Sequence, residues 1–147
     1  MAKMRKGFVS NSSSSSFIVI GQGPTTDLPY CEDDILTIDG KLGETEFGWQ
    51  TERYNDAGSR IVFAWLQAKD KPEWMEMFEK VVKEHLGVSF IDYKLSDSWS
   101  GDGEYGYIDH QSAACEGVNT EMFISEYDLA QFLFASDSFI QCGNDNG

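Results

Sequence analysis

The chain offers few residues that could do chemistry, and they fall in three places. Tyr107-Ile108-Asp109-His110-Gln111-Ser112 puts an acid beside a histidine and a hydroxyl shortly after it. His110 has the imidazole of a general base, and Ser112 the hydroxyl of a nucleophile. Neighbouring residues on a strand point to opposite faces, so Asp109 orients His110 only if the backbone turns there. A lone histidine near a strand end also suits a hydrogen-bonded structural role. The second place is Ser12, Ser13, Ser14, Ser15 and Ser16, preceded by Lys3, Arg5 and Lys6. Consecutive hydroxyls and backbone N–H groups beside cations are the makings of an anion cradle. The glycines of a phosphate loop are missing, and two other readings stand. Small side chains can fill a crowded turn by bonding to backbone, and serines beside basic residues are acceptors for phosphorylation.

The third place is the loop 96–106, rich in Gly, Ser and Asp, in which Trp99 stands among polar residues with Tyr105 and Tyr107 close behind. Aromatic side chains in such a setting are interface anchors or fold back onto the core. Metal chemistry finds weaker support. Cys31, Cys115 and Cys142 are far apart, with no CxxC pair, and His110 and Cys115 are the nearest approach to a zinc spacing. Asp97, Asp102 and Glu104 break the order of a calcium loop. We expect no metal and no cofactor, with the thiols acting as small buried hydrophobes. His85 closes an amphipathic helix, where an imidazole meets terminal carbonyls.

Composition narrows the classes further. The 147 residues suit one domain, and an aromatic content of 14% supports a packed core. The net charge is −14, from 25 acids against 11 bases, which disfavours direct binding to a phosphate backbone and favours a protein partner. An odd cysteine count argues against a disulfide framework. Serines stand where a secretory signal would be apolar, and no run is long and apolar enough to span a bilayer. A cytoplasmic or virion location without membrane contact is the expectation.

The elements that must position these residues follow from pattern and turn chemistry. Residues 17–20 read as a buried strand, and 34–38 as a second strand. Asp39-Gly40 and the alternation over 44–50 predict a hairpin. The apolar run 61–66 suits a helix over 59–69, although periodicity alone does not exclude a strand. Asp70, Pro72 and Glu73 predict the start of a helix that Gly87 ends, with Trp74, Met77, Phe78, Val81, Val82 and Leu86 on one stripe. Strands are expected near 88–95, 105–109 and 139–142, and a capping box at Ser125 opens a third helix. Helices and strands do not alternate. The prediction is an α+β fold, a single domain over 1–147 with a mainly antiparallel sheet covered by two or three helices, the serine-rich segment 1–16 packed on it and 143–147 a tail.

The serine run sits in Arg5-Lys6-Gly7-Phe8-Val9-Ser10-Asn11 through Ser16-Phe17-Ile18-Val19, a segment that resembles the N-terminal signature of small, uncharacterised phage and bacterial proteins. Phe47-Gly48-Trp49, the segment from Phe63 to Gln67, the segment from Tyr107 to Ser112, and Asp137-Ser138-Phe139-Ile140 with Asn144-Asp145-Asn146 look similar too, so the resemblance spans most of the chain. It implies a phage-related context and no particular reaction. Together with the charge it suggests a small acidic accessory protein that works by protein–protein binding, as a virion component or a binder of a host factor. The alternative is a hydrolase or transferase using Asp109, His110 and Ser112 on a phosphorylated or nucleotide substrate.

Overall fold

A helix whose residues are nearly all apolar has no solvent side and must lie in the middle of the molecule, and this is where the run 61–66 goes. In the computed structural model, which describes residues 3–5, 17–26, 28–47, 52–96, 104–108 and 121–142 (backbone only at 3–5, 104–105 and 107–108), helix α1 spans Ala57–Ala68. Every α1 residue except Gln67 is buried. Asp56 starts the helix by accepting the Ser59 N–H at 2.9 Å. Helix α2 (Pro72–Leu86) opens on its proline and ends at Gly87, whose φ of 69° is the left-handed cap that glycine adopts without strain. The expected cap at Asp70 does not form. Lys71 is the N-cap, without a side-chain bond, and Asp70 pairs with Lys69 at 3.1 Å. Helix α3 (Glu126–Phe134) begins where the capping box placed it, with Ser125 Oγ accepting the Asp128 N–H at 3.0 Å.

The strands among the described residues are β1 (Lys3–Arg5), β2 (Phe17–Ile20), β3 (Ile35–Ile38), β4 (Glu46–Phe47), β5 (Glu52–Tyr54), β6 (Phe90–Tyr93), β7 (Leu95–Ser96), β8 (Glu104–Tyr105), β9 (Tyr107–Ile108) and β10 (Phe139–Cys142). The principal sheet is antiparallel and 4-stranded, in the order β1-β2-β10-β5. Its inner face carries Ile18, Ile20, Ile140 and Tyr54, all buried, and joins the core with Phe63, Phe132, Leu129 and Leu133 from the helices. The chain is thus an α+β domain in which, among the described residues, three α-helices accompany an antiparallel sheet.

The hairpin expected around Asp39-Gly40 is replaced by something non-local. β3 pairs parallel with β6 (Ile35 opposite Phe90, Ile38 opposite Tyr93), and β4 pairs parallel with β9. The turn itself exists: Asp39 Oδ1 accepts the Lys41 N–H at 2.9 Å, and the Leu42 N–H reaches Asp39 O at 3.2 Å. The chain then leaves for the start of α1. A Cβ on Gly58 would lie 1.8 Å from Leu42 O, and one on Gly43 would lie 2.3 Å from Ser59 N. Backbone meets backbone there, and Ser59 Oγ accepts the Glu44 N–H at 2.9 Å. Segment 42–44 is packed against the buried start of α1, whereas a two-strand ribbon on the surface is marginal by itself.

Candidate functional site

On β3 the side chains alternate: Leu36 and Ile38 are fully buried, while Ile35 and Thr37 face outward. Those outward residues floor an open groove of about 520 Å³. Its walls are the loop before β3, with Pro29, Tyr30 and Glu32, and the turn after it, with Asp39, Lys41 and Leu42. Tyr30 is 83% exposed, which leaves most of its ring to solvent. Leu28 precedes it at 45% exposure, and Phe90, the registered neighbour of Ile35, is 55% exposed. Apolar surface of this kind costs solvation and is otherwise covered by the fold.

The lip of the groove is a tight turn closed by the Ile35 N–H donating to Glu32 O at 3.0 Å. Its two central residues, Asp33 (φ 54°) and Asp34 (φ 66°), both lie in the left-handed region. That geometry is a type I′ turn, for which Asn-Gly is the favoured pair. Aspartate tolerates the left-handed conformation better than most residues but less well than glycine. Glu32, Asp33 and Asp34 are all exposed, so the groove is acidic on this side, with Asp39 opposite and Lys41 the base among the lining residues.

A second polar cluster is fully committed to the fold. Asp137 accepts the Gly23 N–H at 2.8 Å and the Gln22 N–H at 3.3 Å, and these bonds hold its carboxyl below the usual carboxylate range. A Cβ on Gly21 would fall 1.9 Å from Asp137 Oδ1, so only glycine lets the loop wrap that closely. Ser138 Oγ accepts the Gly21 N–H at 2.8 Å and donates to Gln131 O at 2.6 Å. Beneath them Arg60, fully buried, donates to Phe132 O at 3.0 Å and Ala135 O at 2.6 Å, covering terminal carbonyls of α3. Burial lowers its pKa to about 10, against the raising influence of Asp56 and Asp137, so it stays charged at neutral pH. These donors and acceptors answer one another and clamp the 21–26 loop to the end of α3.

The residues singled out from sequence fare differently. Asp109, His110 and Ser112, the serines 12–16, Lys6, Trp99 and Cys115 lie outside the described residues. Arg5, Tyr105 and Tyr107 are placed by backbone register alone, opposite Ile18, Ser96 and Glu46 respectively. His85 Nδ1 lies 3.0 Å from Val81 O, one turn back, as its position near the helix end suggested. Cys31 donates to Pro29 O at 3.7 Å, burial raises its pKa, and Cys142 is fully buried. Among the described residues no group of three His, Cys, Asp or Glu side chains could hold a metal ion. Sequence reasoning missed the groove. Its one signal was Leu28-Pro29-Tyr30, an apolar patch between Asp27 and the acids 32–34 with no strand or helix pattern to bury it.

No protein family, curated protein or solved structure matches the chain.

Proposed function

We propose that this chain is a small acidic accessory protein of phage type that acts by protein–protein contact, as a virion component or a host-factor binder, and that the groove beside β3 is its docking face. The occupant is a basic polypeptide segment carrying an apolar side chain. The observation that carries the reading is Tyr30, a large amphipathic ring standing 83% exposed on the lip of a concave surface. Tyrosine is among the residues that dominate binding energy when an interface closes over them. The acids around it and the net charge of −14 select the partner by sign, since complementary potentials speed encounter and like charges exclude competitors.

Parallel affinity captures from host lysate with the unmodified chain and Tyr30→Ala test this. The expected result is a basic protein held by the former and reduced at least tenfold with the latter, as about 2 kcal/mol at an anchor implies. Tyr30 buries little, so folding should be unaffected. Retention equal in both chains, or a retained partner that is itself acidic, would sink the proposal. A Trp99→Ala arm asks whether the loop 96–106 contributes to the same contact. Loss of turnover on a phosphorylated substrate in His110→Ala would favour the hydrolase or transferase alternative.

A further inference from the structure

The outer face of the principal sheet carries an arginine arranged as a receptor. The Arg53 guanidinium lies 4.1 Å from the centroid of the Phe139 ring, and its Nε donates to Gln141 Oε1 at 3.0 Å. Each support is itself fixed. Phe17 meets Phe139 edge-on with centroids 6.2 Å apart, and Gln141 Nε2 donates to Glu52 O at 3.3 Å and Cys142 O at 3.2 Å, which sets the amide so that its oxygen faces Arg53. The residue is exposed, and its terminal nitrogens have no hydrogen-bond partner among the described residues. Lys69, Lys80 and Lys94 each sit beside a carboxylate, at 3.1, 3.0 and 3.4 Å, and Arg60 is spent on carbonyls.

We propose that Arg53 is an oxyanion-binding group, with its terminal nitrogens presented as a ready fork for the two oxygens of a phosphate monoester or a carboxylate. A guanidinium matches such a pair in its own plane. Stacking and the Nε bond have already removed the rotamer freedom that an unconstrained arginine loses on binding, so less of the gain is cancelled. The site is distinct from the groove and takes a ligand of opposite charge.

The test uses the full chain at fixed ionic strength, with sodium chloride as the reference, and follows the Arg53 Nε–H resonance while inorganic phosphate or acetate is added. A saturable shift with at least one of the two anions is expected. Tighter binding of phosphate assigns the site to phosphate esters, and tighter binding of acetate to carboxylates. Arg53→Lys keeps the charge and loses the fork, so affinity followed by calorimetry should fall at least fivefold with no change in melting temperature. Gln141→Leu, which frees Nε without altering charge, should weaken binding by a smaller factor and broaden the Nε–H line. Shifts that stay linear with both anions, or equal affinity in Arg53→Lys, would overturn the proposal.

Discussion

Arg60 shows how one side chain joins distant parts of the chain. Its guanidinium accounts for the carbonyl of Phe132 near the end of α3 and shares that of Ala135 with the Ser138 N–H. Replacing it with methionine keeps the volume and the apolar stem, and strands the Phe132 carbonyl in a dry site while Ala135 O keeps the Ser138 N–H. The expected loss is about 3 kcal/mol, measured by urea unfolding, because an unpaired buried acceptor costs its desolvation in full. Asp137 acts through protons instead. Its folded pKa is depressed by the Gly23 and Gln22 N–H groups, so the stabilisation is complete above the ordinary carboxyl value of 3.8 and is lost as pH falls through the lower folded value. Asp137→Asn should therefore flatten the acid limb of the stability–pH curve while leaving its slope above pH 5 unchanged, as a denaturation series across that range would show.

At the scale of elements, the turn 32–35 sets backbone strain against charge. Asp33 and Asp34 occupy positions of positive φ that the pair Asn-Gly fills with less strain. The double substitution Asp33→Asn with Asp34→Gly should raise stability by about 1 kcal/mol in chemical denaturation. It also removes two charges from the lip of the groove, so affinity for a basic partner should fall as stability rises. No gain in stability would mean that the fold holds both aspartates without cost. Tyr93 and Glu79 link elements in a more ordinary way. The phenol of Tyr93 on β6 donates to Glu79 on α2 at 2.5 Å, and burial followed by that carboxylate holds its pKa well above the usual range. Trp65 stacks on the same ring, with centroids 5.6 Å apart, so α1, α2 and β6 meet at one side chain.

For the whole molecule the dominant quantity is the charge of −14. It favours a cationic partner from a distance set by the screening length, about 10 Å at 0.1 M salt. The association rate with the groove's partner should drop about tenfold when ionic strength rises from low to physiological, while dissociation changes little, as stopped-flow measurements would show. A rate indifferent to salt would remove the electrostatic half of the docking proposal and leave the apolar half. The oxyanion site on the sheet is an exposed pair that works against this field, so added salt screens both the pair and the repulsion of its ligand by the chain.

Residue order alone determined the parts of the fold that rest on short-range physics. The stop at Gly87, the proline start of α2, the cap at Ser125 and the strand over 139–142 each depend on a few consecutive residues, and each was legible. The α+β class followed from the same signals. Which strands pair was decided only in three dimensions, because Asp39-Gly40 makes its turn locally while the partner of β3 is chosen by where α1 and α2 return the chain. The groove was hidden for the same reason: an exposed Tyr30 and a buried Arg60 look alike in a sequence until packing assigns one to solvent and the other to the core.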